Sequence, residues 1–153
     1  MMIYILSLIV IILDQLTKLW AVATLPLWAS VPVFPFFNLY LTYNKGVSFS
    51  FLSSDHPITP WILSAMAIAV CIMIVFWMMR EKNKMIRIAL ALILGGAIAN
   101  VIDRIRLGAV VDFLDFYIGQ HHWPAFNIAD SAICLGVLLI FINWLKESRH
   151  AKN

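Results

Sequence analysis

The sequence predicts an all-α membrane protein, four transmembrane helices with a small β-hairpin or sheet segment on the outer side. Three observations carry that prediction. Of 153 residues, 63% are hydrophobic and 12% are charged, against about 45–50% and about 25% in an average globular domain. Four segments approach the roughly 20 apolar residues that a helix needs to cross a hydrocarbon core about 30 Å thick. Between the first and second of these, the apolar pattern changes to alternation with period two. The length suits one integral membrane domain over residues 1–153, with no room for a second.

The first span is expected over about 2–23. Met1 to Leu13 is apolar, and Ala21-Val22-Ala23 has the small residues of a signal-peptide cleavage site. No Lys or Arg precedes the apolar run, however, and Asp14, Gln15 and Lys18 interrupt it, so it reads as a retained helix. The second span, about 58–79, is apolar throughout. The third covers about 85–105 and the fourth about 128–145. Lys and Arg concentrate in cytoplasmic loops. Arg80, Lys82, Lys84 and Arg87 lie between spans two and three, and Lys146, Arg149 and Lys152 follow span four. Both regions, and hence both termini, are expected on the cytoplasmic side. The outer side then receives 24–57 and 106–124.

In the first outer segment, Pro26, Pro32 and Pro35 exclude a continuous helix. Trp28, Phe34, Phe36 and Phe37 suit a membrane–water interface. Leu39, Leu41 and Tyr43 alternate with other residues, as do Val47, Phe49 and Phe51, with Asn44-Lys45-Gly46 between them. That pattern predicts a hairpin with its turn at 44–46.

Charge and cysteine content exclude several function classes. The net charge of +3 comes from short basic runs beside apolar segments, without the basic stripe and interleaved aromatics of a nucleic-acid binder, so no nucleic-acid partner is expected. Cys71 and Cys134 sit in apolar stretches and form neither a disulfide framework nor a C-x-x-C metal site. No H-E-x-x-H, G-x-S-x-G or phosphate-binding glycine loop is present. Neither a metal nor a cofactor is expected.

The polar residues are distributed unevenly. Both glutamates, Glu81 and Glu147, fall in the basic regions, whereas all six aspartates fall in outer loops or outer halves of spans. Asp55 and Asp115 read as solvated loop residues. Asp14, Asp103 and Asp130 lie in or at the ends of apolar helices, where an ionisable group is costly and points to function. Asp14 and Lys18, four apart, share a helix face and read as an intramembrane ion pair. Gly95-Gly96-Ala97 permits close helix contact. Asn100, Asp103 and Arg104 project from one side of the third span. Asn127-x-x-Asp130 resembles a helix cap at the start of the fourth, while Asp112 stands between apolar neighbours beyond the third. Two carboxylates at the same depth on adjacent elements can meet. Both then resist ionising, so one serves as acid and the other as base, as in the aspartic protease dyad.

Together these residues resemble the bacterial lipoprotein signal peptidase (signal peptidase II) family over nearly the whole chain. The resemblance rests on Asp14-Gln15 with Thr17-Lys18, and on Asn44 with Gly46 and Phe49. It continues through Gly95-Gly96-Ala97, Asn100, Asp103-Arg104 and Val111-Asp112-Phe113 to Phe126-Asn127-Ile128-Ala129-Asp130. It implies an intramembrane aspartic endopeptidase that cleaves diacylglyceryl-modified prolipoproteins before the lipidated Cys, with Asp112 and Asp130 catalytic. Asn44, Gly46, Asn100, Arg104 and Asn127 match positions lining the family's site, with Asp14, Lys18 and Asp103 supporting it. It further implies globomycin-type cyclic peptides as inhibitors, membrane lipids as neighbours, a monomer, and an inner-membrane location with the site toward the periplasmic face. Ala99 replaces a frequent glycine, and Val47-Ser48 replaces two frequent alanines. Two alternatives stay open: a non-enzymatic transporter subunit, and an intramembrane metalloprotease using His121 or His122.

Overall fold

The computed structural model describes residues 2–46 and 58–150. In chain order the elements are α1 (Met2–Thr24), β1 (Ser30–Phe34), β2 (Phe37–Asn44), α2 (Thr59–Arg80), α3 (Lys84–Leu107), β3 (Val110–Ile118), β4 (His121–His122) and α4 (Ile128–His150). All four helices are long and apolar enough to cross a membrane. Their ends lie close to the expected ones except in α4. That helix runs on through Lys146, because a charged, wet extension is no barrier to a helix.

The third helix is the hub. It packs against α1, α2 and α4. In its apolar window 56% of the residues are buried, against 28% in α2 and 22% in α4. Close packing in lipid has no strong hydrophobic drive between helices, so it relies on small residues. A Cβ at Gly95 would stand 2.7 Å from the Ser7 carbonyl of α1, and one at Gly136 would stand 2.6 Å from the Ala89 carbonyl. A Cβ at Gly96 would run into the Ala129 carbonyl of α4. The other faces of α1, α2 and α4 carry exposed Leu, Ile, Met, Phe and Trp, as lipid-facing surfaces do.

Helix ends are set by identifiable caps. The Asn83 side chain accepts from the N–H of Met85 at 2.9 Å and starts α3. Gly108, at φ 70°, ends it in the left-handed conformation that glycine adopts without strain. The Asn83 amide also donates to Asn143 near the far end of α4, at 2.9 Å. The basic α2–α3 turn and the basic end of α4 therefore share one end of the bundle.

At the other end the strands form one antiparallel sheet in the order β1-β2-β3-β4. The expected alternating strand is present as β2, but its described partners are β1 and β3, joined along both edges. The expected second strand, Val47 to Phe51, and Asp55 lie outside the described residues. Pro32 is accommodated because β1 is an edge strand. Between Leu39 and Thr42 the β2–β3 register shifts, the mark of a bulge.

Candidate active site

Two chain reversals bring the site together. The Gly108 turn sends the chain from α3 straight into β3, which carries Asp112. The segment 123–126 then folds back along β3. Phe126 accepts from the N–H of Phe113 at 3.1 Å and of Leu114 at 2.9 Å, and its own N–H donates to Leu114 at 3.0 Å. The return delivers Asn127 to the start of α4, one turn before Asp130. There the Asn127 carbonyl oxygen Oδ1 accepts from the N–H of Asp130 at 2.9 Å, the helix cap that the spacing predicts.

Asp112 and Asp130 line one polar cavity of about 210 Å³, with Asn44, Gly46, Asn100 and Arg104 around them and Ala67, Ala97, Val110 and Ile133 closing the wall. Asn127 donates to Oδ1 of Asp112 at 2.7 Å, and Asn44 donates to Oδ2 at 3.1 Å. Asn100 donates to Oδ1 of Asp130 at 2.8 Å. Asp112 is 2% exposed. Burial, and then the neighbouring Asp130 carboxylate, push its carboxyl up from 3.8 to about 7, against the pull of the Asn44 and Asn127 amides. A carboxyl so placed is partly protonated at neutral pH, so it can donate a proton as well as accept one. The Nε of Arg104 is buried and has no hydrogen-bond partner among the described residues.

A second polar cluster lies just beneath. The Lys18 ammonium sits 2.8 Å from Asp14 and 2.8 Å from Asp103 and donates to Oδ1 of Asn100 at 2.9 Å. Asp14 accepts from the N–H of Ala129 at 2.8 Å, and Asp103 from the N–H of Val111 at 3.2 Å. This cluster thereby grips the residue before each of the two site carboxylates. Of the ten site residues singled out in the sequence, nine fall in the cavity or this cluster, and the tenth, Asn127, is hydrogen-bonded to both Asp112 and Asp130.

Asp115 differs from expectation. It is 4% exposed rather than solvated. The Asn38 amide donates to it at 3.0 Å, and His122 Nδ1 lies 2.9 Å away. The β2–β3 register sets Asn38 opposite Asp115, and β4 brings His122 beside it, contacts that leave no local sequence signal. Gln15, seen only as part of a motif, donates to Asp103 at 2.8 Å. His121 and His122 are exposed and gather no metal-binding group of three His, Cys, Asp or Glu side chains among the described residues. A larger hollow of about 780 Å³ on the sheet, against Phe116, Ile118 and Trp123, has no carboxylate in its lining.

A model of the signal peptidase II family matches residues 6–146. The chain belongs to the signal peptidase II family. Family relatives named lipoprotein signal peptidase include one from Paraburkholderia phymatum, 46% identical over 95% of this chain and 89% of its own length. One from Alteromonas mediterranea is 44% identical over 92% and 79%. Two solved bacterial membrane enzyme structures, determined in meso at 2.3 and 1.9 Å resolution, superpose with TM-scores of 0.86 and 0.83 at 33% and 34% identity. The first covers 96% of this chain and 89% of the solved one, the second 95% and 93%. Signal peptidase II members are aspartic endopeptidases acting on prolipoprotein signal peptides. This member is a multi-pass membrane protein.

Proposed function

We propose that Asp112 and Asp130 are the catalytic pair of a lipoprotein signal peptidase that hydrolyses the bond before a diacylglyceryl-modified Cys. The observation that carries this reading is their convergence, from β3 and α4, on one small polar cavity with an asparagine amide on each. Asp130, ionised, draws a proton from water as the water attacks the carbonyl. Asp112, protonated, donates to the carbonyl oxygen. Arg104, Asn44 and Gly46 line the space in which the peptide backbone lies. The Lys18 cluster and Asn127 hold the carboxylates in place.

The basic end of the bundle, with Arg80, Lys82, Lys84 and Lys146, faces the cytoplasm by the positive-inside rule. The sheet and the carboxylates then face the periplasmic side of the inner membrane, with both termini in the cytoplasm. There a lipid-anchored substrate presents its cleavage site at the depth of the pair. Every side chain that the reading needs comes from one copy, so residues 1–153 act as a single peptidase unit and as a monomer. A cyclic peptide of the globomycin type would block the same cavity.

The test follows a lipidated prolipoprotein in proteoliposomes carrying Asp112→Asn or Asp130→Asn, with membrane levels matched. Each variant is expected to lose cleavage by on the order of 10²–10⁴-fold. Normal processing by either one refutes the pair. Loss of activity on adding a chelator would point instead to the histidine-based alternative.

A further inference from the structure

Three asparagines face the two carboxylates, and each could in principle present either end of its amide. An amide offers one accepting oxygen and one donating NH₂, and here the far partner decides which faces inward. The oxygen of Asn44 is taken by the N–H of Gly46 at 3.0 Å. The oxygen of Asn127 is taken by the N–H of Asp130 at 2.9 Å. The oxygen of Asn100 is taken by the Lys18 ammonium at 2.9 Å, with the Asn127 NH₂ a longer 3.4 Å away. Backbone N–H groups and an ammonium only donate, so all three NH₂ groups must point at the carboxylates.

The consequence differs between the two acids. Asp112 receives an amide on each oxygen, at 2.7 and 3.1 Å. Asp130 receives one on Oδ1, and its Oδ2 has no hydrogen-bond partner among the described residues. Two of the three amides are locked by local backbone. The third is locked by a side chain from a different helix, 82 residues away in sequence.

We propose that Lys18 is a positioning residue for the hydrolysis. Its ammonium holds the Asn100 oxygen, turns the Asn100 NH₂ onto Oδ1 of Asp130, and leaves Oδ2 as the oxygen that takes the proton of the attacking water. The inference rests on the assignment of Asp112 and Asp130 as the reacting pair. In the step, a water O–H bond breaks, its proton goes to Asp130 Oδ2, and the water oxygen bonds to the carbonyl carbon. The carbonyl oxygen takes the proton of Asp112. When the C–N bond then breaks, the leaving nitrogen takes the proton from Asp130. One hydroxyl of the intermediate returns its proton to Asp112, which restores both acids. With Lys18 removed, the Asn100 oxygen keeps only the longer 3.4 Å contact from the Asn127 amide, and its NH₂ is no longer held firmly on Oδ1 of Asp130. The charged groups around Asp130 are Lys18 and Asp14 from α1, Asp103 and Arg104 from α3, and Asp112 from β3.

The experiment measures kcat/KM against pH for the full chain in proteoliposomes with lipidated prolipoprotein. Lys18→Met and Asn100→Leu are each expected to move the acidic limb upward, by about one pH unit, the size of one differential hydrogen bond. In the Asn100→Leu background, Lys18→Met is expected to add less than about a third of that shift. A full additional shift would mean that Lys18 acts by charge alone and would overturn the proposal, as would an acidic limb left in place by Asn100→Leu. Should Lys18→Met not accumulate, Asn100→Asp serves with Lys18 intact. It replaces the NH₂ with an oxygen and is expected to move the limb further than Asn100→Leu, and an unmoved limb again overturns the proposal. Failure of the catalytic pair itself is read separately, from cleavage by the Asp112→Asn and Asp130→Asn variants.

Discussion

Two pairs of carboxylates lie a few residues apart in this fold, and they are treated in opposite ways. Asp14 and Asp103 share the Lys18 ammonium at 2.8 Å each. Asp112 and Asp130 receive neutral amides from Asn44, Asn127 and Asn100. A carboxylate pair bridged by one ammonium serves as a structural tie between α1 and α3. A pair given only neutral donors keeps its proton exchangeable, which general acid–base chemistry requires. The asparagines hold the geometry and add no formal charge of their own.

The comparison can be broken first at the tie. Lys18→Met leaves two buried carboxylates without their cation, and removing one partner of a buried ion network costs about 3–5 kcal/mol. A thermal or denaturant transition in detergent should show the loss, and an unchanged transition would remove the structural half of the contrast. A smaller effect separates the two site acids. Asp130→Asn fits, because its oxygen can accept from Asn100 while its NH₂ takes the unbonded position. Asp112→Asn sets one NH₂ against another, because both oxygens of Asp112 face donors. It should therefore be less stable than Asp130→Asn by about 1–3 kcal/mol, measured side by side at one pH.

The third effect is in pH. On the proposed assignment Asp112 must hold its proton to act as the acid, and its carboxyl is pushed up to about 7. Then kcat/KM should fall as pH rises through about 7, by about tenfold for each further unit. The same shift bears on stability. Because the folded carboxyl holds its proton to higher pH than the unfolded one at 3.8, the folded state binds more protons between these values. This group's contribution is fully present below about pH 4 and is lost as pH rises to about 7. Asp112→Asn should flatten that part of the stability profile.

Much of this was legible in the sequence, and for definite reasons. Spans of about 20 apolar residues point to membrane-crossing helices, and the i, i+4 spacing of Asp14 and Lys18 puts them on one helix face whatever surrounds them. The strands were harder. Val110 to Phe113 is buried at every position, so β3 shows no alternation. Pro32 reads as a break, although an edge strand tolerates it. Asp115 looked like a loop residue because its partners, Asn38 and His122, are 77 and 7 positions away.

By itself the sequence determined a four-span membrane protein and its family, because local hydropathy and short motifs suffice for these. Only the tertiary structure decided which acids share a cation and which share amides. That distinction depends on contacts spanning 15 to 115 positions, such as Asn127 to Asp112 and Ala129 to Asp14. Chain spacing carries no record of which end of an amide faces inward. That is settled by whichever donor the fold sets behind it, and behind Asn100 the donor is Lys18.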